Sequence, residues 1–464
     1  MISEWQTVRI EDIAAQRPSA MATGPFGSSI SAKYFQSEGI PVIRGSNLSA
    51  DIQTKLDDSG LVFVSEEKAR EFDRCLVREG DLVFTCWGTI NQVGLIDRGA
   101  TYERYIISNK QMKITVDELR VDPRFIYYVF SGPVKQAEII DNGIGSSVPG
   151  FNLGQLRKHE LLLPPLHEQR AIADTLDLFT NRITLIGETN TTLEAIAQAM
   201  FKSWFVDFDP VRAKAEGLDP ESMDSATAEL FPDSFEESAL GLVPRGWSLV
   251  PFGELLTHTI GGDWGDEAPS DKNDTRVAII RGTDIPDLQS GTANRAPIRY
   301  TSAKKLATRA LQDGDLVLEV SGGSRDQPTG RALYLTDALL GQFDCPVEPA
   351  SFCRLLRPVN GNTGVLLAQH LTYIYAIGKT WEYQNQSTGI ANFQTTHFLQ
   401  NELVVMPSAA VLEAFSEVIS PIIGRAHIPQ IRALTLLRDT LLPRLISGQL
   451  RLPESEAQIE EVCA

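Results

Sequence analysis

The residues that come nearest to a catalytic pattern stop short of one. His167-Glu168 opens the spacing of a zinc-binding helix, but residue 171, where the second histidine would complete the metal pair, is alanine. The other five histidines, His159, His258, His370, His397 and His427, are scattered. No glycine-rich loop runs into Lys-Ser or Lys-Thr, so a phosphate-loop nucleotide site is not expected. Leu163-Pro164-Pro165-Leu166 lacks both the polar residue before the prolines and the aromatic after them that an amino-methyltransferase would use. Cys75, Cys86, Cys345, Cys353 and Cys463 are odd in number and never fall in CxxC spacing, which predicts reduced thiols and a cytoplasmic chain. The expectation is a non-enzyme that binds no metal and no cofactor itself.

What remains is recognition chemistry. Several glycine-punctuated loops carry the donors that read nucleic acid, namely Arg, Lys, Asn, Gln, Ser and Thr. The first half of the chain offers Lys33 and Tyr34, Trp87 (an apolar or stacking contact) with Asn91 and Gln92, and Ser146, Ser147 and Asn152. The second half offers Trp264, then Ser324, Arg325, Gln327 and Arg331, and finally Gln384, Asn385 and Asn392. Arg44 and Arg281 occupy matched positions after an apolar run, where a phosphate contact and a structural ion pair both stand.

These loops need a scaffold, and the sequence shows it as a duplication. Trp5-Gln6-Thr7-Val8 recurs as Trp247-Ser248-Leu249-Val250, Ile43-Arg44-Gly45 as Ile280-Arg281-Gly282, and Gly80-Asp81-Leu82-Val83 as Gly314-Asp315-Leu316-Val317. Phe151 and Glu160-Leu161 recur as Phe393 and Glu402-Leu403. The order is the same and the offset nearly constant, so the chain contains two copies of one unit. Each copy opens with short apolar runs between Gly and Pro, the pattern of strands, and passes through proline into a helical stretch.

In the first stretch Ile172, Leu176, Phe179, Ile183, Ile186, Asn190, Leu193, Ala197, Met200 and Trp204 alternate in steps of four and three, a heptad seam broken only by Asn190. The second stretch, about 409–449, carries Pro421 and Pro429, which should kink or break its middle. The predicted fold class is α+β: two repeated mixed α/β domains joined by two long antiparallel, coiled-coil-like helices with pseudo-twofold symmetry. The expected division is 1–165, a first domain; 166–206, a central helix; 207–245, an acidic irregular linker; 246–408, a second domain; 409–449, a distal helix; and 450–464, a tail. Phe201, Trp204, Phe205 and Phe208, at or beyond the end of the seam, are expected to offer an apolar surface to partner helices.

Across 464 residues, 60 acids stand against 42 bases, a formal charge of −18. That excludes a globally basic coat for nucleic acid but not a local DNA-facing side. The connector 207–245 holds ten of the acids against three bases, so a large part of the excess sits away from the two domains. No apolar run reaches the roughly 20 residues of a membrane span, and the first residues are not those of a signal peptide.

The chain resembles the specificity (DNA-recognition) subunits of type I restriction-modification systems. The resemblance rests on Gly24-Pro25-Phe26-Gly27-Ser28, Gly39-Ile40-Pro41-Val42-Ile43-Arg44-Gly45, and Pro164-Pro165-Leu166-His167-Glu168-Gln169-Arg170-Ala171-Ile172-Ala173. It continues through Leu193-Glu194, Phe201-Lys202-Ser203-Trp204-Phe205-Val206-Asp207-Phe208, Leu230-Phe231-Pro232-Asp233-Ser234-Phe235 and the segment Leu437 to Gly448. It implies two target-recognition domains, each reading half of a bipartite sequence in double-stranded DNA. It also implies two methyltransferase (modification) subunits around the helices and two restriction (translocase-nuclease) subunits, no membrane, and a helix pair that sets the unread spacer. The complex would use S-adenosylmethionine, ATP and Mg on those other subunits. The rival readings are a recognition module of another restriction, methylation or anti-phage system, and a coiled-coil scaffold that binds protein.

Overall fold

A computed structural model of the chain describes residues 5–145, 149–239, 241–291, 295–324, 326–387, 390–424 and 427–452. Two compact units emerge: residues 1–184 with 434–464, and residues 185–433. Each therefore joins one copy of the repeat to segments of the helical stretches, rather than following the linear division.

In the first unit, strands β1 (Gln6–Arg9), β2 (Met21–Thr23), β3 (Ile40–Ile43), β4 (Val62–Val64), β5 (Leu76–Arg78), β6 (Asp81–Thr85), β7 (Val93–Leu95), β8 (Arg104–Ile107), β9 (Gln111–Thr115) and β10 (Glu160–Leu163) form three sheets. Two are four-stranded, in the orders β2-β9-β6-β7 and β4-β3-β8-β5, and β1 pairs antiparallel with β10. The run Ile40-Pro41-Val42-Ile43 is buried at every position, as suits a strand covered on both faces, and it pairs in parallel with β8.

The second unit repeats this plan with β13 as the partner of β24, after an added hairpin. Its strands are β11 (Phe235–Ser238), β12 (Gly241–Pro244), β13 (Ser248–Pro251), β14 (Leu256–Gly261), β15 (Thr275–Ile280), β16 (Ile298–Thr301), β17 (Leu316–Glu319), β18 (Ser321–Gly322), β19 (Ala332–Tyr334), β20 (Val347–Pro349), β21 (Cys353–Pro358), β22 (Gln384–Ser387), β23 (Ile390–Phe393) and β24 (Leu403–Met406). The sheet β14-β21-β17-β19 has the connectivity of β2-β9-β6-β7, and β16-β15-β20 matches β4-β3-β8, parallel pair included. The short sheet β18-β23-β22 has no counterpart strands in the first unit among the described residues.

The heptad seam forms one helix, Leu166–Phe205. Its first part buries Ile172, Leu176 and Phe179 in the first unit's core with Leu441, Leu442 and Leu445 of the helix His427–Ile446. Arg438 reaches the loop residue that also binds Thr180 and Thr184, while Arg451 reaches Glu168, so the returning segment runs antiparallel. In the second unit Phe201, Trp204 and Phe205 close on Phe415 of the helix Ala409–Ile423. Pro421 lies inside that helix, and the described chain turns at Gly424 instead; Pro429 stands in the first turn of the next helix, where its missing N–H leaves no bond unmade.

Two expectations are corrected. The connector 207–245 is not an irregular linker: it forms helices Asp209–Ala215 and Ser225–Glu229 and the β11-β12 hairpin. Its apolar residues Phe208, Val211 and Phe231 enter the second unit's core, which leaves its acids to solvent. Nor do Phe201, Trp204, Phe205 and Phe208 face a partner. They are 2–7% exposed, because Phe231, Trp247 and Phe415 of the same unit cover them.

Candidate nucleic-acid interface

In the first unit a cleft opens beyond the ends of β3 and β6. Arg44, Ser46, Trp87, Thr89, Gln92, Asn109 and Lys110 line it among others. Arg44 ends β3 and caps a short turn, its N–H donating to Asn47 Oδ1 at 3.0 Å. Its Nη2 donates to the Gly60 carbonyl at 2.7 Å, and among the described residues no carboxylate pairs with it. A guanidinium held by a backbone carbonyl thus lines the cleft. Asn47, fully buried, fastens the following loop by donating to the Asp57 and Ser59 carbonyls.

Trp87 is 51% exposed. Its ring lies where any side chain at 150 would be, since a Cβ on Gly150 would sit 2.6 Å from it. Gln92 serves as wall: its Nε2 donates to the Leu48 carbonyl and its Oε1 accepts from Thr85. Asn91 is half-buried in the same turn, outside the cleft lining. Ile30 and Phe35 line the cleft on either side of Lys33 and Tyr34 in sequence. Lys33 Nζ lies 4.6 Å and Lys68 Nζ 4.2 Å from the Tyr34 ring centre, and Lys33 foremost holds the Tyr34 hydroxyl below its ordinary value. Asn152 is committed to capping the helix Leu153–Lys158, where it and Gln155 satisfy each other's N–H groups. Ser146 and Ser147 lie outside the described residues.

The second unit gathers its candidates around β18-β23-β22. Ser321 Oγ donates to Asn392 Oδ1, Gln394 Nε2 donates to Asn385 Oδ1, and the Thr329 N–H and hydroxyl both donate to Gln384 Oε1. Ser324 and Gln327 are exposed in the preceding loop, with Gln327 Nε2 3.3 Å from the Tyr375 hydroxyl. Arg331 is not part of this surface: it forks onto the buried Glu319 at 2.9 and 2.7 Å, a structural ion pair that depletes it as a DNA contact. Arg281 likewise forks onto Asp284 at 2.9 and 2.6 Å, so here the ion-pair alternative holds, whereas its counterpart Arg44 donates to the Gly60 carbonyl. Trp264 stands apart, packed under the Arg299 guanidinium at 5.2 Å. Arg325 lies outside the described residues.

Sequence reasoning missed Ser46, Asn109 and Lys110 as cleft residues and left Phe26 unassigned. Asn109-Lys110 is a polar turn between strands, a signal that was readable; Ser46 follows Arg44 in the matched motif.

The groups that suggested catalysis have structural partners. Glu168 accepts from Trp5 Nε1 at 2.9 Å and Arg451 Nη1 at 2.7 Å, and the buried Gln169 bonds Asp122 N–H and the Arg120 and Pro164 carbonyls. These bonds tie the start of the long helix to the first domain. Burial pushes the Cys86 and Cys353 thiols up to about 12, far from a reactive thiolate. Among the described residues no group of three or more His, Cys, Asp or Glu could hold a metal, and no helix is long and apolar enough to cross a membrane.

Residues 2–195 match the family described as type I restriction modification DNA specificity domain. Over that stretch the chain is similar to the DNA specificity domains of type I restriction-modification systems. It is similar to the type I restriction enzyme HindI specificity subunit of Haemophilus influenzae, 25% identical over 404 residues, 75% of this chain and 82% of the relative. It is also similar to the MjaIX specificity subunit of Methanocaldococcus jannaschii, 21% identical across 97% of this chain and 94% of that one. The fold is that of a solved S subunit from M. genitalium, with a TM-score of 0.53 and 14% identity over 96% of both chains. These relatives are named specificity subunits, which are non-catalytic.

Proposed function

We propose that each unit reads one half of a bipartite sequence in double-stranded DNA, and that the helix Leu166–Phe205, shared by both units, sets the unread spacer. The observation that carries this reading is the repeat itself. Strand order and the capped turn after β3 and β15 are kept in both units, while the polar groups around them diverge, as Arg44 and Arg281 illustrate. Two readers on one scaffold, each with its own side chains, suit a target of two unlike halves.

Catalysis then belongs to other chains. Two methyltransferase subunits would modify adenines in the half-sites with S-adenosylmethionine, and two translocase-nuclease subunits would use ATP and Mg, all in the cytoplasm. An excess of 18 acids over bases predicts weak, salt-sensitive DNA binding by this chain alone, with partners supplying much of the phosphate contact. Methylome sequencing of cells carrying this subunit with its methyltransferase tests the reading. A bipartite adenine-methylated motif is expected, and the absence of any new motif would overturn it.

A further inference from the structure

In each unit an edge strand of the matched four-stranded sheet, β2-β9-β6-β7 or β14-β21-β17-β19, runs into a loop of the same construction. β2 leads into Gly24-Pro25-Phe26-Gly27, and β14 into Gly262-Asp263-Trp264-Gly265. The first glycine is pressed onto backbone at the end of a neighbouring strand. A Cβ on Gly24 would lie 1.8 Å from the Ser108 carbonyl oxygen, and one on Gly262 would lie 2.1 Å from both the Pro349 and Ala350 oxygens. Its N–H donates in matching fashion, Gly24 to the Gln111 carbonyl at 2.9 Å and Gly262 to that of Cys353 at 3.0 Å. The glycine after the aromatic is left-handed in both, φ 60° at Gly27 and 66° at Gly265. Between them stands one aromatic side chain, Phe26 at 93% exposure and Trp264 at 39%.

The loops are fastened as well as alike. Asn109 Nδ2 donates to the Gly27 carbonyl at 2.8 Å and Ser29 Oγ to that of Phe26 at 2.7 Å. In the second unit Lys305 and Thr301 hold Asp263 at 2.8 and 3.3 Å. Folding gains nothing from a phenyl ring held out in water, yet the backbone is built to hold it there. Its surroundings are polar: Ser28 is exposed, and Asn109 and Lys110 line the adjoining cleft. A lone ring with such neighbours buries too little apolar surface to anchor a protein.

We infer that Phe26 and Trp264 are matched aromatic contacts to DNA bases, one for each half of the target. The inference rests on the DNA reading above and adds the contacting residues. Every base has a π-face, so stacking or wedging at a base step tolerates any sequence. That explains how one device persists in two readers whose hydrogen-bonding groups differ.

The test uses the full chain assembled with its methyltransferase, on duplexes of the motif found by methylome sequencing, with 2-aminopurine placed in turn through each half. The wild-type complex should change the probe's fluorescence at one step in each half. Phe26→Ala should abolish the change in one half only and weaken binding about ten- to hundredfold, with little effect on thermal stability. Phe26→Trp should restore both, and Trp264→Ala should give the mirror result. Salt dependence should stay the same in all variants, since no phosphate contact is lost. Unchanged fluorescence and affinity in both alanine variants would overturn the inference. So would loss of the methyltransferase from the Phe26→Ala complex with normal DNA binding by what remains. Wild-type complex that binds no duplex in a sequence-dependent way would overturn the DNA reading itself.

Discussion

Arg438 Nη1 donates to Gln53 Oε1 at 2.7 Å, joining side chains 385 positions apart in sequence. The same Gln53 amide donates to the Thr180 carbonyl at 2.7 Å and to Thr184 Oγ1 at 2.6 Å, so one side chain links a loop of the first domain to both of its helices. Arg438 is only 4% exposed. Arg438→Ala leaves the Gln53 acceptor without its partner and should destabilise the first unit by about 1–3 kcal/mol. Urea unfolding of the full chain should show an earlier transition for that unit; an unshifted transition would contradict the assignment.

Two buried carboxylates give the second unit opposite pH slopes. Burial alone would raise Glu402, but His370 Nε2 at 2.8 Å, Lys379 Nζ at 2.8–2.9 Å and the Tyr383 hydroxyl at 2.6 Å hold it down at about 2. Its ordinary value is 4.5, so its contribution, about 3 kcal/mol, is present above that pH and is lost as pH falls toward 2. Glu348 is raised to about 7 by burial, then by Asp263. The folded unit therefore holds a proton there that the unfolded chain releases above 4.5, and stability falls as pH rises from 4.5 through 7. Thermal unfolding of Glu348→Gln should lose the decline between pH 4.5 and 7, and that of Glu402→Gln the decline below 4.5. Profiles that keep the wild-type shape would contradict both.

Phe205 and Phe415 meet edge to face at 4.8 Å inside the second unit. Phe205→Ala should cost about 3–5 kcal/mol of that unit's stability, the scale for emptying a core aromatic site. Calorimetry reads this directly. A variant of wild-type stability that no longer binds the methyltransferase would restore the docking role that burial removes.

The fold was most legible where one physical signal dominated. Steps of four and three from Ile172 to Trp204 predicted the helix observed as Leu166–Phe205, because a seam of that length has no other regular solution. Ile43-Arg44-Gly45 and Ile280-Arg281-Gly282 identified a repeat that the capped turns show in three dimensions. The rest depended on tertiary partners. The acidic excess of 207–245 masked the three side chains that fold it, Phe208, Val211 and Phe231, and nothing local told that Phe415 would cover Phe201 and Phe205. Arg331 reads as a donor in sequence but is claimed by Glu319, and at Arg281, where both alternatives stood, Asp284 decides for the ion pair. Phe26 was visible as part of a motif, but its 93% exposure is a property of the folded loop.

The central claim is that two units read two half-sites independently, and domain exchange tests it most directly. Residues 1–165 are replaced with the matching domain of another specificity subunit, and the methylome of cells carrying the chimaera with its methyltransferase is sequenced. The account predicts a bipartite motif in which one half changes while the other half and the spacer stay as they were. A motif altered in both halves would contradict it.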